Sequence, residues 1–277
     1  AVTKNLGVCC GTVGPGATNM VSGVTAAHMD SIPLLVITGQ VGTKAFGRSA
    51  HQEATGHGRT IDQCALFKNI TKMSVMITDK DSMSRTLRSA IRAALTGRPG
   101  PVHIAFPSNI QLEEINEEII LPENYRPEKG TNALSLDKIK IIGDLLYNAE
   151  NPAMLIGYGA SNCADDGIII ELAERLQIPV ATSGKAKGVF PEDHPLSLGC
   201  LSIRGSKAAN TYLRSNIDVL VVVGTDFSEM TSHGWDPKLK PLKALIQIDI
   251  DPNEIGKNYS VKAGLVADAN DAIHSLN

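Results

Sequence analysis

Three glycines and a proline fall within six residues near the start of the chain, in the sequence GTVGPGATN that spans residues 11–19. Gly14 and Gly16 lack a Cβ atom and Pro15 fixes one φ angle, so the main chain there can lie against a ligand near a helix N-terminus. A tight strand-to-helix turn without a ligand is the alternative. The spacing matches neither the Walker sequence nor the dinucleotide-binding fingerprint.

Two carboxylates, Asp249 and Asp251, follow an apolar run in the sequence IQIDIDP. We expect them at the carboxyl end of a strand, where open parallel sheets bind ligands and a carboxylate can accept hydrogen bonds from ribose hydroxyls or an adenine amino group. Capping of a helix formed by the following NEIGKN is the alternative. Gly157 and Gly159 form a lone G-x-G, and Asn162 stands where the dinucleotide fingerprint requires glycine.

The residues that commonly bind metals are scattered, so the sequence predicts no metal site. His51 and His57 lie in a polar stretch, where solvated histidines are commoner than ligands or acid–base groups. The five cysteines are odd in number and lack C-x-x-C spacing, which favours a reducing, cytoplasmic compartment. Asp165 and Asp166 are interpreted as solvated surface.

The charge pattern excludes several classes of partner. The 26 basic and 29 acidic residues are spread along the chain and give a net charge of −3, so we expect neither nucleic acid nor an anionic membrane as a partner. The longest apolar runs are too short to span a bilayer, and no signal peptide is evident. The chain opens almost directly on a strand, so we expect it to be part of a longer protein.

Apolar runs alternate with helical periods along the chain, which predicts an α/β fold with parallel sheets. A single helical pattern extends from Ala17 to Ala27, and residues 40–70 are predicted to form a surface loop or short helices. Asp81 and Ser135 are predicted to cap the helices that follow them. The strands are predicted to be parallel and to occupy residues 34–38, 102–106, 153–157, 219–223 and 244–249.

Five longer motifs follow one another along the chain: GTVGPGATNMVSGVTAAHMDSIPLLVITGQV, HQEA, TGRPGPVHIAFP, VLVVVGTDF and IDIDPNEIGKN. Together they resemble the thiamine diphosphate-dependent enzymes of the acetolactate synthase and oxalyl-CoA decarboxylase type, over nearly the whole chain. The resemblance implies that residues 1–118 are the later part of a parallel-sheet, pyrimidine-binding domain. An acidic linker at 119–134 and a doubly wound, Rossmann-like central domain at 135–277 would follow.

The resemblance assigns a catalytic position to one residue, Gln52 of HQEA, which matches a family glutamine that points into the active site. His51 stands where the family often has Phe, which leaves substrate choice open. The resemblance also implies a set of cofactor-binding residues, which are Gly14, Pro15, Gly16, Asn19, Arg98, Gly224, Asp249 and Asp251.

The cofactors implied are thiamine diphosphate and Mg²⁺ in the full-length parent, with a 2-oxo acid as substrate and decarboxylation or carboligation as the reaction. In acetolactate synthases the central domain binds FAD, and Arg98 matches an arginine that contacts it. Relatives hold ADP there or nothing, and Ser228 and Glu229 depart from the acetolactate synthase pattern, so these alternatives stay open. The parent is expected to be a homodimer or homotetramer.

Two parts of the family's catalytic apparatus are absent from this sequence. The proton-relay glutamate lies upstream of the glycine turn in the family, and the Gly-Asp-Gly metal anchor does not occur here. Residues 1–277 alone are therefore expected to be inactive. The alternative function is a non-enzymatic nucleotide-binding module that serves regulation or assembly.

Overall fold

The computed structural model describes residues 5–115, 120, 134–164 and 167–277. The chain divides into two compact units, residues 1–128 and 129–277. Most of the predicted linker lies outside the described residues, as do Asp165 and Asp166. The domain boundaries therefore remain a prediction.

The first unit contains a four-stranded sheet in the order β1-β2-β4-β3, in which every pair is parallel. The strands are β1 (Gly7–Gly11), β2 (Leu34–Gln40), β3 (Ser74–Met76) and β4 (Pro101–Pro107). The helices are α1 (Pro15–Asn19), α2 (Val21–Met29), α3 (Gln63–Lys68) and α4 (Met83–Leu95).

Both faces of this sheet are covered. Successive residues of β2 point to opposite faces of the sheet, and each face packs against its own buried cluster. Val36 packs with Ala17, Val24 and Phe67 in one buried cluster, whereas Leu35 belongs to a second cluster. The second cluster also contains the buried alanines of α4 and the apolar residues of β4. A continuous apolar strand is the expected sequence for such a two-sided environment.

The second unit contains a six-stranded parallel sheet in the order β10-β9-β8-β5-β6-β7. The strands are β5 (Pro152–Ile156), β6 (Val180–Ser183), β7 (Ser197–Leu201), β8 (Val219–Val223), β9 (Ala244–Asp249) and β10 (Ala263–Val266). The helices are α5 (Leu136–Tyr147), α6 (Ile168–Leu176), α7 (Lys207–Tyr212), α8 (Glu229–Ser232) and α9 (Ala269–Leu276).

Neighbouring residues of β5 separate the two cores of this unit. Met154 packs with α5, α6 and α9 on one face, and Leu155 packs with Leu213 of the α7 region and Phe227 on the other. The strand order with helices on both faces is a doubly wound sheet, so the predicted fold class is confirmed. The five predicted strands are also confirmed as parallel, although β5 begins and ends one residue earlier than predicted.

Local predictions had mixed outcomes. The Ser135 side chain accepts a hydrogen bond from the Lys138 amide and caps α5, as predicted. Asp81 does not cap α4, because Asp79 accepts a hydrogen bond from the Asp81 amide and caps a preceding 3₁₀ turn instead.

Three other segments differ from the predictions. The helical pattern from Ala17 to Ala27 is divided between α1 and α2 at Met20, and NEIGKN forms turns rather than a helix. The short strands β3 and β7 were not predicted. Within the described ranges, none of the helices combines the length and the apolar character needed to cross a bilayer.

Candidate functional site

The glycine turn connects β1 to α1 at the carboxyl end of the first sheet. Gly14 is buried and has a φ of +66°, a left-handed conformation that favours glycine, and α1 begins at Pro15. A Cβ atom on Gly14 would lie 3.3 Å from the carbonyl oxygen of Gln52 and 3.4 Å from its Cβ. The fold therefore brings together two residues that the sequence assigned to the site.

Gln52 lies in an exposed turn with a φ of +60°. The other predicted residues of the turn are less buried than Gly14: Pro15 is exposed, Gly16 is half-buried, and Asn19 is exposed at the last position of α1. Among the predicted residues of the site, Gly14 and Gln52 come from separate segments of the chain and are placed next to each other by the structure.

The end of β2 is fastened to the loop that contains Gln52 through the buried side chain of Gln40. Its Nε2 donates to the Ala54 carbonyl at 2.9 Å, and its Oε1 accepts from the Ala54 amide at 3.2 Å and the Val41 amide at 2.9 Å. The side chain thus replaces the hydrogen bonds that a neighbouring strand would make. Sequence reasoning missed Gln40, although its position at the end of an apolar run was a usable signal.

Asn109 holds the first part of the same loop. Its Oδ1 accepts from the Thr43 amide at 2.8 Å and its Nδ2 donates to the Thr43 hydroxyl at 3.2 Å. The segment after β2 was predicted to be a surface loop or short helices, and it contains a 3₁₀ turn (Thr43–Ala45) and α3. Side chains from β2 and from the residues after β4 hold it in place.

A cleft of about 700 Å³ opens at the carboxyl ends of β1, β2 and β4. Gly11, Thr12 and Gly39 contribute main chain and small side chains to its wall. Apolar side chains supply much of the remainder, together with Ser108 and Gln111 at its rim. Neither Gly14 nor Gln52 lines this cleft, but Thr12 and Val13, which lead into Gly14, do.

A chain of buried side chains lies beside the same strand ends. Gln63 donates from Nε2 to the Thr38 hydroxyl at 2.5 Å and to the Gly39 carbonyl at 3.1 Å. Thr38 lies 2.8 Å from Nε2 of His103, and Ser74 lies 2.8 Å from its Nδ1. Because Ser74 donates its own proton to the Cys64 carbonyl, His103 must donate from Nδ1 and accept at Nε2.

His103 is therefore a neutral structural histidine rather than an acid–base group. Its ring is fully buried and stacks on Phe67 with a centroid separation of 4.2 Å. Burial lowers the pKa of His103 from 6.5 to about 4. The network fixes the end of β2, which forms part of the cleft wall.

Arg98 lies in the turn between α4 and β4 and is half-buried. Its Nε donates to the Ser31 hydroxyl at 2.8 Å. The Lys72 ammonium donates to the carbonyls of Thr96 and Arg98, each at 2.8 Å, so it closes the C-terminal end of α4. Arg98 is thus held at its main chain and at its side chain.

The glycines of the second unit pack on one another. A Cβ atom on Gly157 would lie 2.1 Å from the Gly224 carbonyl oxygen, and one on Gly224 would lie 2.8 Å from the Cα of Gly159. The Gly159 amide donates to the Gly224 carbonyl at 3.0 Å. Close approach of two loops thus explains the G-x-G spacing without a nucleotide.

Asp249 and Asp251 lie at the carboxyl end of β9, as expected from the sequence, and both are half-buried. Asp249 accepts from the Asp251 amide at 2.9 Å, and Asp251 accepts from the Asn253 amide at 3.0 Å. The carboxylates thus organise the turn that follows the strand. Nucleotide binding by these residues stays a prediction.

A second cleft, of about 670 Å³, lies at the carboxyl ends of β6 and β7. Lys187, Arg204, Ser202 and Cys200 are among its lining residues, and the predicted residues of this unit, Gly224, Asp249 and Asp251, are not. Across the part of the chain that the structure describes, no three His, Cys, Asp or Glu side chains are grouped so as to hold a metal ion.

Two family models match the chain. The model for the N-terminal TPP binding domain of thiamine pyrophosphate enzymes matches residues 1–66, and the model for the central domain of thiamine pyrophosphate enzymes matches residues 139–276. The two matches fall on the first and the second unit, respectively.

Curated relatives match nearly the whole chain. A probable acetolactate synthase large subunit of Methanocaldococcus jannaschii is 40% identical over 277 residues, which cover 98% of this chain and 45% of the relative. A probable acetolactate synthase large subunit of Methanococcus aeolicus is 40% identical over 95% of this chain and 43% of its own length. The acetolactate synthase large subunit of Porphyra purpurea is 35% identical over 99% and 45%. The chain therefore spans less than half the length of these relatives.

Proposed function

Because the chain belongs to the thiamine pyrophosphate enzymes, we propose that it is part of an acetolactate synthase-like enzyme that decarboxylates or carboligates a 2-oxo acid. The chain is 35–40% identical to acetolactate synthase large subunits along almost its entire length, which supports this reaction class. In this proposal residues 1–118 belong to the pyrimidine-binding domain, 119–134 form a linker, and 135–277 form the central domain.

The observation that carries the proposal is the contact between Gly14 and Gln52 at the carboxyl end of β1. The sequence assigns one of these residues to the cofactor and the other to the active site, and both lie in the part of the chain that matches the TPP binding domain. The turn that holds Gly14 also continues from the cleft wall at Thr12 and Val13. Cofactor contact and substrate contact would then be made by adjoining segments.

The residues at the first cleft fit a flat heteroaromatic ring. The side chains of Ile37, Val41 and Phe106 would exclude water from the faces of such a ring. Thiamine diphosphate, when bound, supplies the electron sink for the reaction. By the resemblance, Gly14, Pro15 and Gly16, which follow the cleft-lining residues Thr12 and Val13, would contact the cofactor beside this cleft, and Asn19 would support the turn. Gln52 orients the substrate.

We further propose that the central domain takes an adenine nucleotide, either FAD or ADP, with Gly224, Asp249 and Asp251 contributing to its site. Mg²⁺ would be held by residues outside this chain.

For the complete enzyme we propose a homodimer or homotetramer in the cytoplasm. None of the five cysteines, all of which lie in the described residues, forms a disulfide, which supports a reducing compartment.

The test measures pyruvate consumption by the full-length protein with thiamine diphosphate and Mg²⁺. We expect turnover that requires the cofactor, and a fall in kcat on the order of 10- to 100-fold for Gln52→Ala, because misplacing a substrate costs that much. Ser49→Ala is the matched control, since Ser49 is exposed in the same loop and also has a left-handed φ. A full-length protein that neither binds thiamine diphosphate nor consumes a 2-oxo acid would refute the proposal.

A further inference from the structure

Glu53 has a buried side chain in a loop whose other residues are mostly exposed. Only 6% of Glu53 is accessible to solvent, whereas His51, Gln52 and His57 on either side are exposed. A carboxylate is seldom buried in a protein unless hydrogen bonds replace its water. The contacts of Glu53 therefore indicate what the burial achieves.

Three donors converge on this carboxylate. Oε1 accepts from the Gly47 amide at 2.5 Å and from the Thr55 hydroxyl at 2.6 Å, and Oε2 accepts from the Ala50 amide at 3.2 Å. The hydrogen bonds from Thr55 and Gly47 lower the pKa of Glu53 despite its burial. The ionised side chain thus closes residues 47–55 into one ring of contacts.

His57 extends the same set of contacts. Its Nδ1 lies 3.0 Å from the Thr55 hydroxyl oxygen. Because Thr55 donates its only proton to Glu53, His57 donates from Nδ1 to Thr55. The far end of the loop is thereby tied to the carboxylate through Thr55.

Gln52 directly precedes Glu53 and depends on this arrangement for its conformation. Its φ of +60° is unfavourable for a residue with a side chain, so surrounding contacts must hold it. On one side, the hydrogen bonds of Glu53 fix the residue that follows Gln52. On the other side, Gly14 lies so close that a Cβ atom added to it would meet the Gln52 carbonyl oxygen at 3.3 Å. Gln40 fixes Ala54, the residue after Glu53, to the end of β2.

We propose that Glu53 is a positioning residue that holds Gln52 against the glycine turn, so that the Gln52 side chain is presented to the substrate. This inference rests on the proposed function, in which Gln52 contacts the substrate. Glu53 itself is too enclosed by its three donors to serve as a proton-transfer group.

The first test is a double-mutant cycle in the full-length enzyme loaded with thiamine diphosphate and Mg²⁺. We expect Glu53→Gln to lower kcat for pyruvate on the order of tenfold while KM and cofactor affinity stay within about twofold. In the Gln52→Ala background the same substitution should cost less than about twofold, because its effect passes through Gln52. Glu53→Asp, which keeps the charge but shortens the reach, should resemble Glu53→Gln. Glu113→Gln, at an exposed position of the same unit, is the control.

Equal costs of Glu53→Gln with and without Gln52 would overturn the inference, since a purely structural defect adds to any other. Absence of turnover in the wild-type enzyme would instead refute the proposed function.

Hydrogen exchange in residues 1–277 tests whether the Glu53 carboxylate holds the loop, and this measurement does not require enzymatic activity. In Glu53→Gln the amides of Gly47 and Ala50 should exchange at least about tenfold faster, because their acceptor is weakened, while the amides of α4 are unchanged. Unchanged exchange at both amides would show that the carboxylate does not hold the loop.

Discussion

Gly14 and Gln52 lie close together, and both have a positive φ, of +66° and +60°. A Cβ atom added to Gly14 would meet the Gln52 carbonyl oxygen at 3.3 Å. Each residue therefore restricts the other, and the glycine turn and the loop after β2 form one structural unit. The proposed cofactor and substrate contacts depend on that pairing.

Gly14→Ala should destabilise the first unit by roughly 1–3 kcal/mol, the cost of placing a side chain in a sparsely populated backbone conformation, because Gly14 has a φ of 66° and a ψ of −117°. The new methyl group would also press on Gln52. Urea denaturation followed by circular dichroism measures the change. Gly23→Ala is the control, because a Cβ there meets nothing within 4 Å in helix α2 and should stabilise by roughly 0.5–1 kcal/mol. Equal effects of the two substitutions would contradict this account.

Stability should fall as the pH is lowered from 6.5 to 4, because His103 is neutral when folded and protonates readily when unfolded. Its pKa is about 4 in the folded protein against 6.5 without burial. The unfolded state binds the proton first, so acid favours unfolding, by up to roughly 3 kcal/mol across this interval. Urea titrations at pH 7, 5.5 and 4.5 give the slope.

His103→Gln should flatten the dependence of stability on pH. A slope that survives the loss of His103 would assign the dependence to other groups.

Parts of the fold follow directly from local sequence. The strands β2 and β8 were predictable from their sequences. A strand that is buried on both faces of a sheet has a continuous apolar sequence, and both of these strands have one. The strands β3 and β7 escaped prediction because they are short and only partly buried, so neither a long apolar run nor clean alternation marks them. Asp81 was predicted to cap α4 because the sequence does not reveal the 3₁₀ turn Lys80–Ser82, which contains Asp81 and is capped by Asp79.

The candidate site was predictable to a lesser degree. Gly14 and Gln52 were identified by resemblance, yet their contact is tertiary and no local pattern reports it. Gln40 and Glu53 read as ordinary polar residues in sequence, since their importance comes from the amides that surround them. Gly157 and Gly159 form a G-x-G spacing that close packing against Gly224 accounts for, and this packing is likewise not visible in the sequence.

Gly157→Ala should prevent the second unit from folding. The added Cβ would lie 2.1 Å from the Gly224 carbonyl oxygen, in a region where β5 and β8 are already paired and cannot separate. Soluble yield and cooperative thermal unfolding report the loss. Gly184→Ala is the matched control, because nothing lies within 4 Å of its added methyl group. Normal folding of the Gly157 variant would require a different packing of these loops.

Asp218→Asn should destabilise the second unit by roughly 1–3 kcal/mol, the cost of losing hydrogen bonds to a buried charge. Its carboxylate accepts from the amides of Glu150 and Asn151 at 2.8 and 2.9 Å and from Lys243 at 3.0 Å. Burial raises the pKa of Asp218, but these hydrogen bonds outweigh it and hold the value at about 2. This stabilisation is present above the ordinary pKa of 3.8 and is lost as the pH falls through 2.

Glu150→Gln serves as the comparison in the same denaturation experiment. Glu150 contacts Lys243 at 3.3 Å, but its side chain is 86% exposed, so its loss should cost no more than about 0.5 kcal/mol. A larger cost for Glu150 than for Asp218 would contradict the assignment.

The most direct measurement compares the full-length protein with residues 1–277 alone, by calorimetric titration with thiamine diphosphate and Mg²⁺ and by pyruvate consumption. The account predicts binding and turnover only in the full-length protein. The resemblance places the family's proton-relay glutamate upstream of the glycine turn, where residues 1–13 contain no glutamate, and the Gly-Asp-Gly sequence of its metal anchor does not occur here. A placed proton-transfer group is typically worth about 10²- to 10⁴-fold in rate. Micromolar binding with turnover by residues 1–277 alone would contradict it, because the chemistry would then belong to residues other than those assigned.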